Sequence, residues 1–307
     1  MPMTRDDRTA WQALCQERFQ ADVPLFRYTT IRTGGPAKWL LDAQNEEEIV
    51  RSLGLARRLG VPALVMGCGS NLLFSDQGFD GLVVRLGSGF SRMTSAGECV
   101  RAQAGATLKA VAYFAADRNL GGLSFAAGIP GSLGGACYMN AGAFGGEMAQ
   151  VITFLDCLDK NGRRLTVRAD QADFGYRHSR MMEEGLIVLG AEMRLMPGHK
   201  EALYSQMREY QACRLEKQPL TYPSAGSFFK RPAGLFAGAL IEQAGLKGLK
   251  VGDAQVSEKH AGFLINLGKA TTADFLSLKD QVQRRVQETS GVMLEPEVRI
   301  IPGDKRP

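Results

Sequence analysis

The sequence predicts an α+β protein built as two lobes followed by a smaller third domain, and three observations predict it. At 307 residues the chain exceeds what one small core holds, at about 150 residues per domain. Helical periodicities alternate with short apolar runs of strand type, and a hairpin pattern replaces strand-helix-strand repetition midway. Glycine, at 36 residues, stands above the usual ~7% and gathers in clusters, as where backbone must adopt positive φ or approach a ligand closely. Hydrophobic residues at 45% and charged residues at 22% are ordinary for a globular chain, which disfavours disorder, collagen and coiled coil.

The elements follow in order. Trp11, Leu14, Cys15 and Phe19 recur at helical spacing, predicting an amphipathic helix that stops before Pro24. Asn45 and three glutamates open a second helix, with Ile49, Leu53 and Ala56 on one face, Arg57 and Arg58 near its end and Gly60 closing it. Residues 62–66, 71–74 and 81–86 read as short strands, completing a first lobe over 1–85. A strand over 98–103 and a helix over 107–119, apolar at Leu108, Val111, Ala112 and Ala115, open a second lobe over 86–200. Residues 151–158 and 163–167 form a hairpin about Asn161-Gly162, and 186–195 add a strand before Pro197-Gly198 breaks the pattern. The third domain, 201–307, carries a helix to about Cys213, a polar loop holding Pro219 and Pro223, an apolar helix over 235–244 and a long helix over 271–290 capped by Gly291. Its tail, 292–302, alternates after Pro296 as a strand that puts Glu297 and Arg299 on one face.

The net charge of +5 is mild and no stretch gathers five Lys or Arg, so no nucleic-acid partner is expected and an anionic small substrate fits better. Cys15, Cys68, Cys99, Cys137, Cys157 and Cys213 are scattered, without a C-x-x-C pair or a histidine at metal-ligand spacing. They read as reduced thiols of a cytoplasmic protein, with no metal. Arg5, Asp6, Asp7, Arg8, Glu17 and Arg18 leave no apolar segment for a signal peptide, and no run reaches the ~18 residues of a membrane span. A soluble chain without a membrane partner is expected.

Two glycine-rich segments carry the first chemical signal. In Gly67-Cys-Gly-Ser-Asn-Leu-Leu-Phe, directly after a strand, Gly67 and Gly69 let backbone N–H groups converge on an anion, with Ser70 and Asn71 as further donors. Leu72 stands where the third glycine of a G-x-G-x-x-G fingerprint belongs, which disfavours a Rossmann fold. The second segment, residues 128–147, lacks the Gly-Lys-Ser/Thr of a Walker loop, and its short helix beginning near Ser132 again favours phosphate. Either segment alone reads equally well as tight turns and close packing. Together they point to a large phosphate-bearing cofactor.

Thr33-Gly-Gly-Pro-Ala, Gly67-Cys-Gly-Ser-Asn-Leu-Leu and Gly128-Ile-Pro-Gly-Ser-Leu-Gly-Gly resemble the FAD-binding part of the UDP-N-acetylenolpyruvoylglucosamine reductase family, near the wider vanillyl-alcohol-oxidase/PCMH flavoproteins. Phe174-Gly-Tyr-Arg-His-Ser, Pro223-Ser-Ala-Gly-Ser-Phe-Phe-Lys-Arg-Pro and Leu294-Glu-Pro-Glu-Val-Arg extend the resemblance over residues 22–302. The resemblance implies a two-lobed FAD domain and non-covalent FAD held by Gly34, Gly35, Gly67, Gly69, Ser70, Asn71, Leu72, Gly128, Pro130, Gly131, Gly134, Gly135, Asn140 and Gly142. It implies NADPH as co-substrate, UDP-N-acetylglucosamine enolpyruvate as substrate and a monomer. The short span from Arg231 to His260 fits the family's shorter subtype, which lacks an extra loop over the substrate.

By the same resemblance Ser227 is the proton donor, while Arg177 and Glu297 handle the charge of the intermediate. Taken alone, Ser227 in its glycine loop reads as a turn residue, Arg177 as a surface ion pair and Glu297 as a solvated strand residue. The chemistry gives them roles: negative charge builds beside a carboxylate, suiting a cationic fork, and a carbanion needs a proton. Tyr176, Lys217, Lys230 and Arg299 are the candidates for contact with substrate; Arg231 and the role of His260 stay open. A flavin oxidase of the wider superfamily is the alternative enzyme. It often tethers FAD through a histidine near the diphosphate loop, and His178, His199 and His260 all lie far from residues 67–74, leaving Cys68 and Cys137 as open positions for a tether. A non-catalytic nucleotide-sugar or flavin-binding protein is the alternative of another class.

Overall fold

The computed structural model describes residues 9, 13 and 19–303. The described residues from 19 onward form two compact units, the first holding 19–21, 39–68 and 81–212, the second 22–38, 69–80 and 213–303. The helix expected about Trp11, Leu14 and Cys15 lies outside the described residues. Phe19 opens a strand, Phe19–Pro24, where helical spacing had been expected.

One sheet runs in the order Phe19–Pro24, Pro36–Ala43, Phe79–Leu86, Ala63–Met66. The last two are parallel, with Ala63 opposite Leu82 and Met66 opposite Arg85. The crossover helix Glu46–Arg58 begins as expected, because the Asn45 side chain accepts from the Glu48 N–H and three glutamates face the positive end of the dipole. Gly60 closes it at φ 63°. Ile49 and Ala56 bury against Trp39, Leu41, Leu82 and Val84, and Leu158 and Leu189 of the second sheet join this core.

That second sheet is antiparallel, in the order Arg164–Arg168, Ile152–Leu158, Ile187–Arg194, Cys99–Gln103, Met93–Ala96. The hairpin forms about Asn161-Gly162 as expected, but through the loop 159–163, in which Gly162 alone takes positive φ, at 78°, so the type I′ turn that this dipeptide suggests is not the one adopted. Thr107 caps the helix Leu108–Ala116 through the Ala110 N–H, and Leu108, Val111, Ala112 and Ala115 enter the larger core. The six-residue helix Leu133–Tyr138 packs on the central strand Ile187–Arg194. The helix Lys200–Lys217 continues past Cys213.

In the second unit, part of the expected polar loop is a strand. Ser224–Ser227 pairs with Phe263–Asn266, followed by Ala254–Val256 and Lys250–Val251. Strands of two to four residues give too little alternation to register, and Ser-Ala-Gly-Ser has weak strand preference. The helices Ala237–Gln243 and Thr272–Ser290 share a core with this sheet through Ile241, Leu264, Phe275 and Val282. Thr271 and Asp274 form a reciprocal capping box, and Gly291 ends the long helix at φ 73°. The tail strand is shorter than expected: only Arg299–Ile301 pairs, in parallel with Leu72–Phe74. Glu297 precedes it, its N–H turned instead to the Phe228 carbonyl at 2.8 Å. Among the described residues no helix is long and apolar enough to cross a membrane.

Candidate active site

Ser227 and Glu297, far apart in sequence, are brought together within the second unit. Gly226 takes φ 79° and the ladder between Ser224 and Ser227 is irregular, which re-aims the strand end. Ser227 is exposed there, while the next residues, Phe228 and Phe229, are buried and fix the backbone. The Phe228 N–H donates to Gly262, its carbonyl accepts from Glu297, and Phe229 forms a bridge with Pro296. The Asn71 side-chain amide donates to the Glu297 carbonyl at 3.0 Å, and the Asn71 carbonyl accepts from the Arg299 N–H at 3.0 Å. Asn71, expected as a cofactor contact, thus ties the backbone on both sides of Val298.

Arg177 belongs to the first unit. Gly175 and His178 exchange both backbone hydrogen bonds at 3.2 Å, leaving Tyr176 and Arg177 at the tip of a two-residue turn. Arg177 takes φ 56°, a left-handed conformation in which a Cβ costs roughly 1–2 kcal/mol. Such strain at a half-buried charged residue points to a positional requirement. Its guanidinium lies 5.0 Å from the centroid of the Tyr176 ring, a cation–π arrangement, and Tyr176 is 51% exposed.

The two glycine-rich segments meet at Gly67, where an added Cβ would collide with Ser132 Oγ. Segment 128–142 is laced to the residues before the helix Leu108–Ala116: the Leu108 N–H donates to Gly131 at 3.0 Å and the Gly134 N–H to Ala104 at 2.9 Å. Gly134 therefore serves close packing, and a Cβ there would stand 2.7 Å from that of Ala104. Gly142 pairs with Glu147 in a small hairpin. Gly128 and Gly131 are half-buried, and Pro130 and Gly135 are exposed. In the second unit Gly34 takes φ 115°, Gly35 donates to Ser75 at 2.9 Å and has no room for a Cβ against the Asp76 carbonyl, and Gly69 takes φ 62° ahead of half-buried Ser70. Leu72 is buried in its strand.

A buried polar atom without a partner is a sign of a missing ligand. Among the described residues these are Thr33 Oγ1, Ser124 Oγ and Gln218 Oε1, and Thr33 opens one of the glycine motifs the sequence singles out. Of the remaining candidates, Lys217 ends its helix exposed, Lys230 pairs with Glu295 at 3.2 Å and Arg299 is exposed. Burial pushes the Cys68 and Cys137 thiols up, so neither is an activated nucleophile. Burial also pushes His260 down; its Nδ1 accepts from the Gly262 N–H at 3.1 Å, the role of a neutral ring that shapes a turn. Asp173, His178 and Glu183 bring potential ligand atoms within 4.8 Å of one another, at a spacing the sequence reading passed over. His178 Nε2 lies 3.2 Å from Asp173 there.

Residues 37–168 match the family described as FAD binding domain, and residues 218–301 that described as UDP-N-acetylenolpyruvoylglucosamine reductase, C-terminal domain. The FAD-binding match together with the reductase C-terminal match defines an FAD-dependent oxidoreductase of α+β architecture. The UDP-N-acetylenolpyruvoylglucosamine reductase of Agathobacter rectalis is 48% identical over 292 residues, covering 91% of this chain and 93% of the relative. A second such reductase, of Symbiobacterium thermophilum, is 46% identical over 283 residues, 92% of each chain. The crystal structure of the Thermus caldophilus enzyme of that name is 36% identical, with a TM-score of 0.78 over 92% of this chain and 98% of that one. The chain belongs to the UDP-N-acetylenolpyruvoylglucosamine reductase family, and the oxidase and binding-protein alternatives fall away.

Proposed function

We propose that the chain uses NADPH to reduce UDP-N-acetylglucosamine enolpyruvate to UDP-N-acetylmuramate, a step of peptidoglycan precursor synthesis, in the cytoplasm and as a monomer. The observation that most supports it is the backbone pairing of Glu297 with Phe228, the residue after Ser227, which brings the chain at Glu297 alongside the exposed strand end that carries Ser227.

Gly67, Gly69, Ser70, Gly128, Gly131 and Gly135 would hold the FAD diphosphate, with the unpartnered hydroxyls of Thr33 and Ser124 as further donors. When bound, FAD would supply the hydride-transfer chemistry between NADPH and the β-carbon of the enolpyruvyl ether. Arg177 stabilises the negative charge that spreads from the α-carbon into the carboxylate. Glu297 shares a proton or orients that arginine, and Ser227 gives the α-carbon its proton, completing the lactyl ether. Tyr176, Lys217, Lys230 and Arg299 bind the sugar, diphosphate and carboxylate groups. Residues 1–85 and 86–200 act as the cofactor lobes and 201–307 as the substrate domain.

The test is direct. Acid should release a flavin from the purified chain, and NADPH oxidation should depend on the UDP-enolpyruvyl sugar. Oxygen consumption without that sugar, or no bound flavin, would refute the reading.

A further inference from the structure

Asn140 is 1% exposed, at φ 44°, within the glycine-rich segment. Its side chain spends both ends on the backbone. Oδ1 accepts from the Ala149 N–H at 2.9 Å, and Nδ2 donates to the Gly175 carbonyl at 3.1 Å. Gly175 is the residue whose reciprocal bonds with His178 close the Arg177 turn. On the far side of that turn Ser179 is fully buried, its Oγ donating to the Tyr138 carbonyl at 2.6 Å and accepting from the Met182 N–H at 3.3 Å. The strained turn is thus gripped before and after its tip by residues 138–140.

We infer that Asn140 is a positioning residue for Arg177, holding the turn in its left-handed conformation through the Gly175 carbonyl instead of contacting the cofactor. The physical need follows from the strain. An arginine with positive φ relaxes unless its surroundings fix it, and a displacement of about 1 Å in a charge-stabilising group can lower a rate about 100-fold. The inference rests on the reading of Arg177 as the group that stabilises the intermediate.

The experiment uses the FAD-loaded enzyme and follows the two half-reactions separately. Asn140→Asp keeps the acceptor for Ala149 and the tolerance for positive φ but removes the donor to Gly175. It should retain FAD affinity and flavin reduction by NADPH to within about two-fold, while reoxidation by the UDP-enolpyruvyl sugar slows by about 10- to 100-fold. In an Arg177→Ala background the same change should slow reoxidation by less than about two-fold, because coupled residues are non-additive. Asn140→Gly, which accepts the same backbone conformation, serves if the aspartate variant does not fold, and should give the same pattern. Weakened FAD binding, equal loss in both half-reactions, or an undiminished further loss in the Arg177→Ala background would each overturn the inference. If Arg177→Ala alone leaves reoxidation unchanged, the reading of Arg177 fails, and that outcome is seen in the single variant.

Discussion

Ser227 stands exposed beside two buried phenylalanines, so truncating its hydroxyl should leave packing intact. Ser227→Ala should still accept hydride from NADPH at the normal rate but lose reoxidation by about 10²- to 10⁴-fold, read by stopped-flow flavin absorbance. Equal damage to both half-reactions would remove it as proton donor. His260 supplies a different test. Its pKa is lowered by burial, so below the unfolded value of ~6.5 the unfolded chain takes up the proton first and stability falls with pH until the folded ring also protonates. His260→Gln removes that acid-side loss, and thermal midpoints measured from about pH 5 to 7 should fall less steeply in the variant than in the parent. The sequence had left His260 open because a lone histidine carries no partner information, whereas its turn and its edge-on contact with Phe263 exist only in the fold.

Helices with polar starts and glycine ends were legible, since capping is local chemistry. Asn45 accepts the Glu48 N–H, and Thr107 and Thr271, read as the first residues of their helices, cap them by accepting from Ala110 and Asp274. Asn45→Ala should therefore cost about 1 kcal/mol, seen as a lower urea midpoint with unchanged slope. The sheet Ser224–Ser227, Phe263–Asn266, Ala254–Val256, Lys250–Val251 was not legible, because its strands are short and the identity of each depends on neighbours elsewhere in the chain. The tail misled for a related reason. Alternation after Pro296 is real, but the Glu297 N–H answers to Phe228, so the residue sits ahead of the strand it was assigned to.

For the whole molecule, two glycine-rich segments read together pointed to a phosphate-bearing cofactor, which the FAD-binding family match supports, yet the roles of individual residues within them were hidden. Asn71 and Asn140 look like ligand donors in sequence and spend their side chains on backbone carbonyls. Cofactor binding should be visible in global stability: FAD at about 100 times its dissociation constant adds about 2.7 kcal/mol to the flavin-free chain, measurable as a rise in thermal midpoint. The pairing of Asn71 with Glu297 also carries a consequence for biosynthesis. The two partners stand 226 positions apart. While a ribosome is still delivering the residues between them, the apolar run Leu72, Leu73, Phe74 has no parallel neighbour to receive it. Closing so long a loop adds little free energy beyond that of a shorter one, so the penalty is paid in time. During that interval the nascent chain presents an uncovered strand edge, the kind of surface that chaperones recognise and that aggregation exploits.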